Sequence, residues 1–110
     1  MDYSKVLNID IGKAVCYSGY RKGQTPGEIF PTYNQVKEDL LIINKTWKYI
    51  RLYSCDFHSR TVLKVLKNEK LDLKVMLGCY IEAEINNYAC PWGGEYSEDQ
   101  LKINKKRNLK

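Results

Sequence analysis

Acidic side chains occur in the polar segments that follow three apolar runs of this 110-residue chain. They are Glu28, Asp56, Glu82, Glu84 and Glu95. Hydrolysis of a glycosidic bond needs two carboxylates flanking that bond, one as an acid and the other as a nucleophile or base. Glu82 and Glu84, two residues apart, could form such a pair on one face of an extended segment. Loop acids are more often solvated or cap helices, so we assign no residue a catalytic role.

Aromatic residues with polar tips are abundant in the same segments. The chain has nine Tyr and two Trp but only two Phe. Such rings stack on the apolar faces of sugars while their O–H or N–H groups meet sugar hydroxyls, but they serve protein interfaces and loop packing equally well. On composition alone, sugar binding and plain loop packing are therefore equally open. The candidate substrate-binding residues are Tyr17, Arg51, Tyr53, Tyr80 and Trp92.

The four cysteines do not form a recognisable metal or redox motif. Cys16, Cys55, Cys79 and Cys90 include no C-x-x-C pair, and His58 is the single histidine that could complete a zinc site. In a protein that is not exported, free cysteines inside apolar runs usually act as small hydrophobic residues. We expect no metal ion and no cofactor.

The elements that must position these side chains are three strands and three helices. Three short apolar runs predict β-strands near residues 13–17, 49–53 and 74–80. Helical periodicity and start signals predict helices near residues 32–47, 57–69 and 97–110. This βαβαβα order demands parallel strands joined by right-handed crossovers.

Helix starts and buried faces are also readable. Thr32 with Gln35 and Ser97 with Gln100 match the capping box, while Asp56 or Ser59 can cap the second helix. The first two helices should bury faces composed of Val36, Leu40, Ile43 and Trp47, and of Val62, Leu63, Val65 and Leu66.

The loop after the first strand separates two α/β architectures. A doubly wound nucleotide-binding sheet would have a short, glycine-rich first turn. Residues 18–31 instead form a long loop whose glycines are spaced wrongly for holding a phosphate. Long loops after strands are typical of (β/α) barrels, which carry their sites on the carboxyl ends of the strands. We therefore predict an α/β chain that comprises the first three βα units of a TIM (β/α)8 barrel and is incomplete.

Alternation along each strand predicts which side chains face the barrel interior. Tyr17, Arg51, Tyr53 and Tyr80 are expected in the interior or at its mouth. The alternate residues should face the helices, namely Cys16, Ile50, Leu52, Val75, Leu77 and Cys79. An Arg51 guanidinium inside a closed barrel would need a carboxylate partner, whereas at a strand edge or an open face it would lie in water.

The strand motifs resemble those of a known family. Ala14-Val15-Cys16-Tyr17, Ile50-Arg51-Leu52-Tyr53 and Val75-Met76-Leu77-Gly78 are similar to the first three strands of glycoside hydrolase family 17, the β-1,3-glucanase-like TIM barrels. Pro31-Thr32-Tyr33 and Cys90-Pro91-Trp92-Gly93-Gly94 resemble bacterial members of the family. The resemblance extends in order and spacing from about residue 12 to residue 108.

The resemblance implies retaining hydrolysis of β-1,3-linked glucans without a cofactor. It places the family's acid and nucleophile glutamates after strands four and seven, so no residue of these 110 inherits either role. Tyr17, Arg51 and Tyr53 match positions that line the family's sugar cleft. Ser54 departs from the pattern, because family members often have an acid there, and Asp56 is a partial substitute. We therefore expect a truncated glycoside hydrolase-like protein that is inactive alone.

Charge and hydropathy restrict the remaining function classes. The formal net charge of +5 comes from the last ten residues, which contain five basic residues and no acid. A nucleic-acid partner, which would rely on that basic end, is therefore not expected. No apolar run is long enough for a membrane span and no secretory signal is visible, so we expect a cytoplasmic protein. The alternative function is a non-catalytic carbohydrate-binding module or an oligomeric assembly module, with self-association through open barrel edges.

Overall fold

The computed structural model describes residues 4–91 and 93–109. In chain order the elements are α1 (Ser4–Leu7), β1 (Ala14–Cys16), α2 (Tyr33–Ile43), β2 (Tyr49–Leu52), α3 (Phe57–Asn68), β3 (Lys74–Leu77) and α4 (Glu98–Asn108). The predicted alternation of three strands and three helices is confirmed, and α1 is an additional short helix. The chain forms two compact units, of which the first ends at Cys79 and the second begins at Tyr80.

The three strands form one parallel sheet in the order β1-β2-β3. Its register places Cys16 beside Arg51 and Arg51 beside Met76. The predicted parallel pairing is therefore confirmed, and the chain belongs to the α/β class. None of the helices within residues 4–91 and 93–109 has the length and apolar character needed to cross a membrane.

The core of the first unit lies between β2 and the pair of helices α2 and α3, which pack against each other. Ile50 and Leu52 point into this core and are at most 1% exposed, as predicted. The helices contribute Val36, Leu40, Val62, Val65 and Leu66. Because both helices contribute to one core with the same side chains of β2, they cover the same face of the sheet.

Two details of the predicted helix faces are wrong. Helix α2 ends at Ile43, four residues early, and Trp47 packs against the core from the segment that follows. Leu63 of α3 is 43% exposed, whereas Val62 is fully buried. One residue rotates the helix by about 100°, so Leu63 points away from the stripe formed by positions 62, 65 and 66.

The helix starts follow from capping side chains. Thr32 Oγ1 accepts a hydrogen bond from the Gln35 backbone N–H, and Gln35 Oε1 accepts one from the Thr32 N–H, so the predicted capping box is confirmed. Asp56 is the N-cap of α3, where its Oδ1 accepts a bond of 2.9 Å from the Ser59 N–H. These bonds satisfy donors that the first helical turn leaves free.

The predicted orientation of β1 is wrong. Tyr17 is only 7% exposed and belongs to the core beside the helices, whereas Cys16 is exposed. The register explains this difference, because Val15 pairs with Ile50 and therefore shares its helix-facing side. Tyr17, two residues after Val15, follows onto that side. Cys16 instead shares the open face of the sheet with Arg51.

The predicted third strand is too long and its end is less buried than expected. β3 ends at Leu77 rather than at residue 80, and β1 and β2 are also shorter than predicted. Leu77 is in register with Leu52 but is 42% exposed, because it ends an outer strand. Cys79 is exposed as well, so neither residue joins the core.

The second unit is organised by asparagines of α4. Asn104 is 1% exposed, and its Nδ2 donates a bond of 2.9 Å to the Ala83 carbonyl. Asn108 accepts from the Glu82 N–H at 2.9 Å and donates to the Glu82 carbonyl at 2.8 Å. Asn108 also donates to Glu84 Oε1 at 2.9 Å. Glu84, considered above as one of a carboxylate pair, thus accepts a bond that holds its own segment.

The cap of α4 forms only in part as predicted. Ser97 Oγ accepts from the Gln100 N–H at 3.1 Å, but the Gln100 side chain donates to Asn104 at 2.7 Å instead of returning to Ser97. Lys105, Lys106 and Arg107 lie in the last turn, where positive charge complements the helix dipole.

Candidate functional site

A pocket of about 250 Å³ lies where β1 and β2 end and α3 begins. The carboxyl ends of parallel strands are the edge at which α/β proteins commonly bind ligands. Aromatic and polar side chains from the loops after both strands and from the first turn of α3 line it, among them Tyr17, Tyr20, Tyr53, Ser54, Asp56 and His58.

Tyr17 forms a fixed wall of this pocket. Its hydroxyl donates a bond of 2.8 Å to Asp39 Oδ2 on α2, and Arg21 Nη1 donates to the same oxygen at 2.9 Å. Burial and the bond to Asp39 raise the pKa of Tyr17 far above its usual value. The hydroxyl therefore stays protonated and committed to Asp39, so Tyr17 offers a ligand its ring.

His58 is a buried imidazole with one unused nitrogen. It is 5% exposed, and its Nε2 accepts a bond of 3.2 Å from the Gly19 N–H. Burial lowers the pKa of His58, so the ring is neutral. A neutral imidazole whose Nε2 accepts carries its proton on Nδ1. That Nδ1 has no hydrogen-bond partner among the described residues.

Tyr20 supplies a second unused polar group. Its hydroxyl is buried and has no hydrogen-bond partner in the described part of the chain. The Tyr20 ring centroid lies 5.1 Å from that of His58. Burial, followed by the nearby Asp56 charge, raises the pKa of Tyr20, so the hydroxyl is protonated. Unpaired buried polar groups are rare, which makes two of them on one pocket informative.

Gly19 holds this arrangement together through its lack of a side chain. A Cβ atom at this position would overlap the Tyr17 hydroxyl and come within 3.2 Å of Asp39 Oδ2. The backbone can therefore pass close enough to donate to His58 only because residue 19 is glycine. Gly19 thus packs against the hydrogen-bonded Tyr17–Asp39 pair on one side and donates its N–H to His58 on the other.

The Asp56 carboxylate at the edge of the pocket stabilises the start of α3. Asp56 caps α3 through its bond to the Ser59 N–H, and the Ser59 hydroxyl in turn donates to the Ser54 carbonyl. Asp39 is occupied by Tyr17 and Arg21. These two acids therefore stabilise the loops rather than form a free pair of the kind that glycoside hydrolysis requires.

The structure brings only some of the predicted site residues together. Tyr17 and Tyr53 line the pocket. Arg51 is exposed, and its guanidinium carbon lies 5.2 Å from the centroid of the Tyr53 ring. This cation is therefore solvated and lies near an aromatic ring, and it forms no ion pair with a carboxylate of the described residues. Tyr80 is 69% exposed and belongs to the second unit. Trp92 lies outside the described residues.

Sequence reasoning missed Tyr20, Gly19 and His58 as a unit. His58 is considered above only as a possible zinc ligand, although it lies in the first turn of the helix predicted after strand two. That position was the available signal, because first-turn residues of a helix after a strand point towards the carboxyl edge of the sheet.

The chain matches no protein-family model, no curated protein and no solved structure. The similarity to β-1,3-glucanase-like barrels therefore rests on the sequence motifs quoted above and remains a prediction.

Proposed function

We propose that this chain binds carbohydrate through the pocket at the ends of β1 and β2, as the sugar-binding part of a β-1,3-glucanase-like (β/α) barrel. The proposal depends on one observation: aromatic side chains and two buried polar groups with no hydrogen-bond partner among residues 4–91 and 93–109 belong to residues that line one pocket. Tyr17, Tyr20 and Tyr53 offer rings for a sugar face. His58 Nδ1–H and the Tyr20 hydroxyl offer hydrogen bonds to sugar hydroxyls.

The arrangement of the sheet supports the barrel part of this proposal. The strands follow one another in the order β1-β2-β3, and both crossover helices cover one face. A wall of a (β/α)8 barrel has this arrangement, and so does one βαβαβ half of a doubly wound sheet. The long loop at residues 18–31, without the short glycine-rich turn of a doubly wound fold, favours the barrel. The opposite face would then be the barrel interior, with Cys16, Arg51 and Met76 in register across it.

We propose that the chain by itself binds glucan without cleaving it. A retaining glycosidase holds two carboxyl groups about 5.5 Å apart across the bond. Asp39 and Asp56 are occupied as described above, and the resemblance places the family's acid and nucleophile after strands four and seven. Hydrolysis would therefore require a barrel that includes strands four and seven, which carry the acid and the nucleophile.

Calorimetric titration with short β-1,3-gluco-oligosaccharides tests the proposal. We expect saturable binding with a Kd of the order of 1 mM, because few contacts surround the ligand in a partial site. Tyr20→Phe, which removes one hydrogen bond, should weaken binding about fivefold. Tyr53→Ala should weaken it at least as much by removing a stacking ring.

Tyr88→Ala is the matched control. Tyr88 is 75% exposed, belongs to the second unit and does not line the pocket, so its removal should leave the Kd unchanged. Absence of saturable binding, or equal losses in all three variants, would refute the pocket as the sugar site. Release of reducing sugar by the purified chain would refute the non-catalytic part.

Self-association is a second candidate function, favoured by the open face of the sheet. Met76 is 62% exposed, Tyr53 is 53% exposed, and within the described residues β1 and β3 each pair with β2 alone. Exposed apolar area beside unpaired strand edges favours contact with another copy. Light scattering over a concentration series should give a rising mean mass, and Met76→Lys should lower it. A constant monomer mass would exclude this function.

A further inference from the structure

Two thiols meet at the carboxyl ends of β2 and β3. Cys55 Sγ and Cys79 Sγ are 3.6 Å apart, and both residues are exposed. Cys55 lies in the turn between β2 and α3, and Cys79 lies two residues beyond β3. The sequence gives no sign of this pair, because 23 residues separate the two cysteines and neither belongs to a C-x-x-C motif.

The backbone around the pair is fixed by the sheet. Leu52 is in register with Leu77, and the Gly78 N–H donates to the Leu52 carbonyl at 2.8 Å, which continues the ladder one step past β3. Cys55 Sγ is also 3.8 Å from the Gly78 carbonyl oxygen. The two thiols therefore face each other across neighbouring strands whose ends are tied together.

We propose that Cys55 and Cys79 are a redox-active dithiol that forms a reversible disulfide between the ends of β2 and β3. A disulfide has an S–S length of about 2.05 Å, so the sulfurs must approach by about 1.5 Å, a movement within reach of side-chain rotation and small loop shifts. A metal site is the weaker use of the pair, because no third Cys, His or carboxylate joins them within the described residues.

The oxidant class is a low-molecular-weight disulfide such as oxidised glutathione. The Cys79 thiolate attacks one sulfur of the oxidant, which forms a mixed disulfide and releases one thiolate. Cys55 then loses its proton and attacks the Cys79 sulfur, which releases the second thiolate. Two protein thiols lose two electrons, the oxidant gains them as two thiols, and these take up the two protons. The hydrogen bond with Cys79 raises the pKa of the Cys55 thiol.

Oxidation of the purified chain with oxidised glutathione, followed by alkylation and peptide mass mapping, tests the proposal. We expect a linked pair of peptides containing Cys55 and Cys79, and a fall from four free thiols to two. A monothiol reductant should restore all four. The double variant Cys16→Ser, Cys90→Ser should form the same link to the same extent, because neither residue takes part.

Single variants of the pair distinguish this link from general thiol oxidation. Cys79→Ser should leave a glutathione adduct on Cys55, and Cys55→Ser should leave one on Cys79. In the unsubstituted chain such adducts should resolve at least about tenfold faster, because the second thiol is already in place. Stable adducts on both cysteines of the unsubstituted chain, or links to Cys16 or Cys90 in comparable yield, would overturn the proposal.

Discussion

Replacement of Tyr17 by phenylalanine should lower the free energy of unfolding by about 1 to 2 kcal/mol. The substitution removes the hydroxyl that donates to Asp39 at 2.8 Å and leaves the buried ring in place. A hydrogen bond to a charged group contributes roughly 1.5 to 3 kcal/mol. The loss should fall at the lower end, because Asp39 keeps the bond from Arg21 and its side chain is 22% exposed to water. Tyr17→Ala should cost about 3 to 5 kcal/mol, since it also empties a core position.

Urea unfolding followed by far-ultraviolet circular dichroism measures both losses. Cys16→Ser is the matched control, because Cys16 is the preceding residue and is exposed on the opposite face, so its loss should stay within about 0.5 kcal/mol. Asp39→Asn in the Tyr17→Phe background should cost less than the same change alone, because the two side chains interact. Greater sensitivity at Cys16 than at Tyr17 would mean that β1 presents the opposite face, and the reasoning would be refuted.

The core, the pocket and the open face each give a further prediction. Val62→Ala should lower the free energy of unfolding by about 2 to 3 kcal/mol, whereas Leu63→Ala, at a position 43% exposed, should cost under about 1 kcal/mol by urea titration. Burial lowers the pKa of His58, so its contribution to stability is complete above about pH 6.5 and is lost as the pH falls. His58→Gln, which keeps an acceptor for the Gly19 N–H, should flatten the decline in stability between about pH 7 and about pH 5 in thermal melts, and an unchanged decline would contradict this. Arg51→Met should change the free energy of unfolding by no more than about 0.5 kcal/mol, since Arg51 is exposed, and a larger loss would indicate a hidden partner.

The orientation of β2 was predictable from sequence and that of β1 was not. In β2, the apolar Ile50 and Leu52 alternate with Arg51 and Tyr53, so only one orientation buries the aliphatic side chains. In β1, Val15, Cys16 and Tyr17 are all residue types that suit a core. The burial of Tyr17 depends on Asp39, which lies 22 residues away and provides a partner for the hydroxyl.

The pocket and the second unit were missed for a related reason. His58 gains its role from the Gly19 N–H, 39 residues earlier in the chain, and no periodic pattern records that contact. Likewise, Asn104 is buried on a helix with little apolar character, because its amide satisfies the Ala83 carbonyl. Local patterns predict elements and apolar faces, whereas polar contacts between distant segments follow only from the folded chain.

Gly78 affects the chemistry of Cys55 and Cys79 by allowing the ends of β2 and β3 to lie close together. A Cβ atom there would lie 2.8 Å from the carbonyl oxygens of Leu52 and Tyr53, and the Leu52 oxygen is held in place by its bond from the Gly78 N–H. Any larger residue must therefore widen the gap between the ends of β2 and β3. The same widening would separate the sulfurs of Cys55 and Cys79. Glycine at position 78, which has no side chain, would therefore control how readily the two cysteines form a disulfide. Gly78→Ala would thus change the reduction potential of the Cys55–Cys79 pair through a steric effect alone.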